Sequence, residues 1–336
     1  MFLGGKALAQ LIKLKDYISR YQQNILLYPS RFVRLKKQKW EGVKSAFDSK
    51  DMQIFYENPD LTEYLPEEKE SIFLKIRGMM NRKTKDEESL LLFPAIVKEE
   101  EEDKEEQLFS FDYKASEYNE PKSLEQLKLQ FLNQLFQFQM KWASSTLTEK
   151  STVKKAFYYD DLLKYFLQRF PDTYLVLYKP VFLLKNAPIE VETILVTPTA
   201  VWCITVLEAE DSAVFVGSNE KFWVKKYNSK EKKILSPVIA LNRTEKIIRG
   251  IFDRHDVTLP IQKAILTRNG YIDYPTIPYD LKIIEKRNYD EWFQMMRNNQ
   301  SPIKAIQLKG AESLLQYCLT TSVRRYDWDS TGDEES

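Results

Sequence analysis

Apolar residues near the start of the chain recur at helical spacing. Leu11, Leu14 and Ile18 lie three or four positions apart, which places them on one face of a helix. Most apolar residues in the stretch 123–142 keep to the same spacing, behind a serine suited to cap a helix. The pattern therefore predicts a mainly helical region over residues 1–145.

A different pattern follows the polar stretch 143–150, which has no apolar face of its own. Short apolar runs then predict strands at 173–184, 189–197, 200–207, 213–217, 221–226, 262–267 and 281–285. Helical spacing predicts helices over about 153–169, 238–253, 288–297 and 308–318. This order indicates an α/β fold, an α+β arrangement with a mixed sheet, over residues 151–325.

Charged residues are distributed unevenly along a chain whose formal net charge is only +1. Residues 1–50 hold 11 Lys or Arg and 3 Asp or Glu, whereas residues 51–120 hold 9 and 20. The basic cluster around Arg34, Lys36 and Lys37 either meets phosphates or is balanced by the acidic stretch that follows. We favour the internal balance, because charge runs are usually solvated faces.

Composition excludes several classes of site. The one histidine, His255, cannot build a His-rich zinc or iron centre. The two cysteines, Cys203 and Cys318, cannot make a disulfide framework. The chain also contains no Walker A or G-x-G-x-x-G motif. Nucleotide-binding enzymes of the common classes are therefore not indicated.

We expect a cytoplasmic protein that does not enter the membrane. The longest apolar stretch, 90–97, is interrupted by proline and is far shorter than the roughly 20 residues that cross a bilayer. The acidic segments 98–106 and 326–336 are predicted to be a solvated loop and a disordered tail. The glycine-containing sequence before Leu8 leaves open whether Met1 or Leu8 is the true start.

Two acidic residues interrupt an otherwise apolar hairpin. Glu190 and Glu192 lie two apart on a predicted strand and so share a face, where a charge without a purpose is costly. If residues 198–199 form a two-residue turn, Glu192 faces Thr205 and Glu190 faces Leu207. The hairpin thus predicts a pair of carboxylates on one side of the sheet.

A third carboxylate, Asp160, lies at the edge of the apolar face of the helix predicted before these strands. Asp160, followed by Leu163, Leu167 and Phe170 and then by the hairpin IEVETILVTPTAVWCITVL, resembles the nuclease-related (NERD) domain. The resemblance covers roughly residues 153–285 and extends to Phe222-Trp223, to Ser236-Pro237 and to the helix that carries Asn242.

The resemblance implies a PD-(D/E)xK core, similar to that of restriction endonucleases, and Mg²⁺-dependent cleavage of nucleic acid. In such a site two carboxylates hold a hard cation, and a lysine orients the attacking water. The family pattern on the second strand is Ile-Glu-x-Lys. Here Glu192 keeps the first acidic position, whereas Thr205 replaces the second acid and Leu207 replaces the lysine.

Neighbouring residues offer a rearranged site. Asp160, Glu190 and Glu192 would then surround one Mg²⁺, and Arg243 or Lys246, one turn apart on the next predicted helix, would supply the cation. The hypothesis that we favour is a catalytically impaired or inactive nuclease-related protein that binds or processes DNA or another nucleic acid. The alternatives are a non-catalytic scaffold whose N-terminal helices contact a protein partner, and an active Mg²⁺-dependent DNase.

Overall fold

The computed structural model describes residues 8–55, 111–115, 120–299 and 301–325. The chain forms two compact units, one of Met1–Gln38 with Phe131–Ser336 and one of Lys39–Gln130. The acidic segments 98–106 and 326–336, predicted as loop and tail, lie outside the described residues.

The described residues form six α-helices and fourteen strands. The helices are α1 (Tyr28–Asp48), α2 (Leu124–Trp142), α3 (Asp161–Arg169), α4 (Pro237–Arg254), α5 (Tyr289–Arg297) and α6 (Ala305–Gln316). The first strands are β1 (Gln10–Leu14), β2 (Glu149–Lys150), β3 (Leu175–Tyr178), β4 (Val181–Leu184), β5 (Ala187–Glu190), β6 (Thr193–Val196) and β7 (Val201–Val206). The remaining strands are β8 (Val214–Val216), β9 (Phe222–Tyr227), β10 (Lys230–Leu235), β11 (Ile261–Leu266), β12 (Tyr271–Asp273), β13 (Leu281–Ile284) and β14 (Val323–Arg324).

The largest sheet has six strands in the order β1-β3-β6-β7-β11-β13. Strand β6 is antiparallel to both of its neighbours, and the other adjacent pairs are parallel. Five strands therefore run in one direction, and their carboxyl ends meet at one edge together with the start of β6. We call this edge the carboxyl edge. A four-stranded sheet, β10-β9-β8-β12, and two pairs, β4-β5 and β14-β2, complete the sheets of the described residues.

Helices cover both faces of the six-stranded sheet. On one face, the Tyr174 hydroxyl donates to the Met296 carbonyl of α5 at 2.8 Å, and α3 packs beside it. On the other face, Lys263 Nζ donates to Asn242 Oδ1 of α4 at 2.7 Å, and Gln307 of α6 donates to a β6 carbonyl. This arrangement confirms the predicted mixed α/β class. Within the described residues, every helix is too short or too polar to span a bilayer.

The helical prediction for the first segment is wrong at Gln10–Leu14, which forms the edge strand β1. All five residues are buried, and β1 runs parallel to β3. A strand buried on both faces has no alternation of its own, so its short apolar run cannot be told from a helix by spacing. Even Lys13 is buried, and its Nζ donates to the Tyr17 carbonyl at 2.7 Å and to Gln22 Oε1 at 2.9 Å.

The basic cluster of α1 is not a uniform phosphate-binding face. Lys36 is buried and forms an ion pair with Asp172 in the first unit. In the second unit, Lys39 Nζ lies 2.7 Å from Asp112 Oδ1, within the acidic stretch of the sequence. Only the second pair is of the kind that balance by the acidic stretch predicts, because Asp172 lies outside that stretch.

Candidate functional site at the carboxyl edge

The hairpin β6–β7 has the register that the sequence predicts. Thr193 pairs with Ile204 and Val196 with Val201, so the next pair outward brings Glu192 opposite Thr205. The Thr197 hydroxyl accepts a hydrogen bond from the Ala200 N–H at 3.0 Å, which stabilises the Pro-Thr turn. Side-chain capping therefore explains why this turn forms without the usual glycine.

Glu192 is half-buried just before β6. Its N–H donates to the Thr244 hydroxyl of α4 at 3.2 Å. Burial raises the pKa of its carboxyl, while the Thr205 hydroxyl and the cations of Lys179 and Arg243 act against that rise. Glu192 thus lies beside one hydroxyl and two basic side chains, in an environment that disfavours its charged form.

Thr205 is buried on β7, facing α4. Its hydroxyl has no hydrogen-bond partner of ordinary geometry among the described residues, although it is close enough to lower the pKa of Glu192. Leu207 follows on the same face of the chain and is half-buried, with its N–H bound to the Leu266 carbonyl at 2.8 Å. At this position the site therefore offers a hydroxyl opposite a single acid.

Lys179 is the residue that sequence reasoning missed. It follows β3 directly and adopts a left-handed backbone with φ 47°, a conformation that is unfavourable for a side chain with a Cβ. This turn leads the chain into the β4–β5 hairpin. No spacing in the sequence relates Lys179 to Glu192, since the two are joined only through the sheet order β3-β6.

The prediction that Glu190 shares the hairpin with Glu192 is wrong. Glu190 ends β5, where it pairs with Val181, because the chain changes sheets between the two acids. The Val191 N–H donates to the Pro180 carbonyl at 3.0 Å and so holds the segment between β5 and β6 in place. Glu190 Oε2 instead lies 2.7 Å from Lys15 Nζ at the end of β1.

Arg243 reaches the site and Lys246 does not. Arg243 Nη2 donates to the Glu190 carbonyl at 3.1 Å and contributes to the field at Glu192. Lys246 is exposed one turn later, and none of the ion pairs of the described residues joins it to Asp160, Glu190 or Glu192.

Asp160 caps a helix. Its Oδ1 accepts hydrogen bonds from the N–H groups of Leu162 and Leu163, each at 3.0 Å, at the start of α3. Its Oδ2 accepts from the Tyr178 hydroxyl at 2.8 Å. The helix predicted from 153 begins as a short 3₁₀ turn, Lys155–Tyr159, and the α-helix starts only after Asp160.

The three acids therefore do not assemble into the expected metal site. Across the described residues, no group of three or more His, Cys, Asp or Glu side chains is placed to hold a metal ion. Asp160 caps α3, Glu190 pairs with Lys15 and Glu192 faces Thr205. This donor set does not fit Mg²⁺, which needs several oxygen ligands in near-octahedral geometry.

A second polar cluster lies at the same edge on the face covered by α3 and α5. Glu208 follows β7 and forms an ion pair with Arg268, as expected for a residue on the face opposite to Thr205. The Arg268 guanidinium lies 4.5 Å from the centre of the Tyr165 ring. The Tyr289 hydroxyl donates to that of Tyr165 at 3.0 Å. The Glu208 carboxylate is therefore already paired with Arg268 in this cluster.

A buried lysine lies further along the α4 face. Lys263 of β11 binds Asp280 at 2.7 Å and Glu245 at 3.0 Å, in addition to the Asn242 amide. Burial opposes the charged form, but the hydrogen bonds that Lys263 donates to Asp280 and Glu245 raise the pKa of Lys263 overall. The network is internally satisfied and anchors α4 to the sheet.

Comparison with known proteins gives one partial match. No family model matches the chain, and no solved structure matches it. An RNA 2',3'-cyclic phosphodiesterase of Geobacillus stearothermophilus is 42% identical over 45 residues, which are 13% of this chain and 14% of that protein. The chain therefore spans only about a seventh of that relative, and this short similarity assigns neither a family nor an activity to it.

Proposed function

We propose that this protein is a nuclease-related protein with a restriction-endonuclease-like core that binds nucleic acid without metal-dependent cleavage. The observation that carries the proposal is the pair Thr205 and Glu192. At the point where two facing carboxylates would hold the metal, the hairpin places a hydroxyl opposite a single acid. Leu207 adds no cation where the family has its lysine.

Loss of cleavage follows from the contacts of the other acids. Recruiting Glu190 to a metal would break its ion pair with Lys15. It would also require residues 190–192 to leave the end of β5 and extend β6. Recruiting Asp160 would uncap α3 and leave the Tyr178 hydroxyl unpaired. Both changes cost stability, since a helix cap alone contributes about 1 kcal/mol. An active DNase with a rearranged site is therefore the less favoured alternative.

Binding of phosphate is supported by the charge at the same edge. Around Glu190 and Glu192, the basic side chains of Lys15, Lys179 and Arg243 outnumber these two acids. The Thr205 hydroxyl, which has no hydrogen-bond partner of ordinary geometry among the described residues, can donate to an anionic oxygen. Lys and Arg side chains that neutralise phosphates account for most nonspecific affinity for nucleic acid.

A second candidate is a protein-interaction scaffold. In the turn just before α1, Leu26 is 62% exposed and Leu27 is 37% exposed. Exposed apolar side chains of this kind favour contact with a protein partner when they form a patch. This candidate places the partner at the N-terminal helices and assigns no role to the carboxyl edge.

The test measures binding and cleavage with the full chain. Fluorescence anisotropy with labelled single- and double-stranded DNA and RNA, at salt between about 50 and 200 mM, reports affinity and its salt slope. The double variant Lys179→Glu/Arg243→Glu is compared with Lys309→Glu, a control on α6 whose amine contacts the Asp256 carbonyl. We expect weaker binding and a smaller slope for the double variant alone.

Cleavage is followed on the same oligonucleotides with Mg²⁺ or Mn²⁺. We expect no product above the background of Glu192→Ala. Metal-dependent cleavage that disappears in Glu192→Ala would overturn the proposal in favour of the DNase. Absence of any nucleic-acid binding at low salt would overturn it in favour of the scaffold.

A further inference from the structure

The four-stranded sheet leaves one of its faces open to solvent. Trp223, Phe215 and Ile272 are buried on the inner face. Because side chains alternate along a strand, their neighbours Phe222 and Tyr271 belong to the outer face. Phe222 is 49% exposed and Tyr271 is half-buried.

The register shows how the outer face is laid out. Phe222 of β9 pairs with Leu235 of β10, which is 53% exposed. Tyr271 of β12 pairs with Val214 of β8, and Val214 pairs with Lys226 of β9. Strand spacing and rise per residue place the two aromatic residues roughly 16 Å apart across the sheet. Between them lie the half-exposed valines 214, 216 and 224.

Basic side chains surround both aromatic rings. Lys221 Nζ lies 5.6 Å from the centre of the Phe222 ring. The Arg287 guanidinium lies 5.5 Å from the centre of the Tyr271 ring, and Lys286 Nζ lies 6.0 Å from it.

Two further lysines lie on this face, and together with Lys221, Lys286 and Arg287 they outnumber its exposed acids. Lys226 and Lys233 are exposed on the outer face, whose exposed acids are Glu231, paired with Lys226 at 2.9 Å, and Asp273. Glu285, which binds Arg287, is buried. The outer face is therefore both apolar and positively charged.

Protection of a sheet edge explains part of this pattern. Lysines on an edge strand such as β10 prevent pairing with other chains, which accounts for Lys230, Lys232 and Lys233. It does not account for an exposed phenylalanine on the inner strand β9, or for cations grouped around Tyr271. Aromatic rings beside cations on an open sheet have the chemistry that stacks bases and contacts phosphates.

We propose that this outer face binds single-stranded nucleic acid. Bases stack on Phe222 and Tyr271, and Lys221, Lys226 and Lys233 contact the phosphates. The proposal rests on the proposed function, because it gives the nucleic acid bound by this protein a surface additional to the carboxyl edge. A duplex cannot use this surface in the same way, since its bases are already stacked.

The experiment uses the full chain and fluorescein-labelled oligo(dT) and oligo(U), with a duplex of equal length for comparison. Phe222→Leu and Tyr271→Leu keep an apolar side chain but remove the ring, whereas Phe222→Trp and Tyr271→Phe keep a ring. Ile239→Ala, at an exposed apolar residue that belongs to α4 and not to the sheet, is the matched control. Thermal unfolding by circular dichroism verifies that each variant is folded.

We expect each leucine variant to bind the single strands about tenfold more weakly, as loss of one stacked base predicts. The ring-conserving variants and Ile239→Ala should bind like the wild type. If the wild type binds nucleic acid but the leucine variants bind equally well, or if it prefers the duplex, this proposal is overturned and the proposed function stands. If the wild type binds no nucleic acid, both are overturned.

Discussion

The Thr205 hydroxyl lies beside the Glu192 carboxyl across the β6–β7 hairpin, buried on the face that α4 covers. The carboxyl carries an elevated pKa because of its burial, and the hydroxyl has no partner of ordinary hydrogen-bond geometry in the described part of the chain. A polar group left in this state costs free energy unless a ligand satisfies it. This pair is therefore the most sensitive point at which to test what the carboxyl edge does.

The first prediction concerns the hydroxyl itself. Thr205→Val removes a buried hydroxyl that has no hydrogen bond of ordinary geometry but lies beside the Glu192 carboxyl. At acidic pH, where that carboxyl is protonated, we expect the free energy of unfolding to rise by about 1 kcal/mol. The pKa of Glu192 should also rise further, because the hydroxyl lowers it in the wild type. Urea denaturation and NMR titration of the glutamate side chain measure the two effects. A loss of stability would mean that Thr205 has a structural partner.

The second prediction concerns pH. The pKa of Glu192 is raised in the folded protein above the value of 4.5 taken for the unfolded chain. The folded state therefore binds the proton more tightly, and its stabilising contribution is complete below pH 4.5 and is lost as pH rises through the elevated pKa. Glu192→Gln removes this dependence.

Urea denaturation of wild type and Glu192→Gln across pH 4 to 8 is the measurement. The stability difference should shift in favour of the glutamine variant as pH rises and then become constant. A difference that stays flat over this range would show that the carboxyl titrates normally in the fold. Glu220→Gln, at an exposed carboxyl, is the reference variant.

The third prediction separates a cap from a metal ligand. Asp160→Ala removes the hydrogen bonds to the first turn of α3 and leaves the Tyr178 hydroxyl unpaired. We expect a loss of about 2 kcal/mol of stability. Asp161→Ala, at the next residue, removes only a favourable interaction with the helix dipole and should cost about 0.5 kcal/mol. Equal losses in the two variants, measured in urea, would contradict the capping role.

Local patterns predicted the hairpin and missed what surrounds it. The register of β6 and β7 follows from alternation and a two-residue turn, so the opposition of Glu192 and Thr205 was accessible from sequence. The position of Glu190 was not accessible from sequence. The chain leaves β5 after Glu190 with a backbone hydrogen bond from the Val191 N–H to the Pro180 carbonyl, which no local pattern predicts. Alternation assumes a continuous strand, and the chain breaks that continuity between the two acids.

Strand β1 and the role of Lys179 were missed because both depend on the order of strands in the sheet. Strand β1 lies about 164 residues before its partner β3 in sequence, as the pair Leu14 and Tyr178 shows. Its buried run has no alternation to identify it. Lys179 approaches Glu192 only because β3 and β6 are adjacent in the sheet. Contacts of this kind depend on sheet order, which spacing along the chain does not contain.

The fourth prediction tests the resemblance to the nuclease-related family. The hairpin register and the alternation of β7 place residues 205 and 207 on the face of Glu192. In Thr205→Glu/Leu207→Lys, a second carboxylate would face Glu192, and a lysine would follow two residues later. Two facing carboxylates repel each other and share a hard cation well. We therefore expect the variant to be less stable without metal and to gain thermal stability with millimolar Mg²⁺.

The control is Thr205→Gln/Leu207→Lys, which has similar size but only one carboxylate. Its melting temperature should not respond to Mg²⁺, and neither should that of the wild type, whose donor set does not fit the ion. A rise in melting temperature that requires the second carboxylate would support descent of the carboxyl edge from a metal-dependent nuclease site. No response in a folded variant would count against the restriction-endonuclease-like core, because that core places the two acids within reach of one cation.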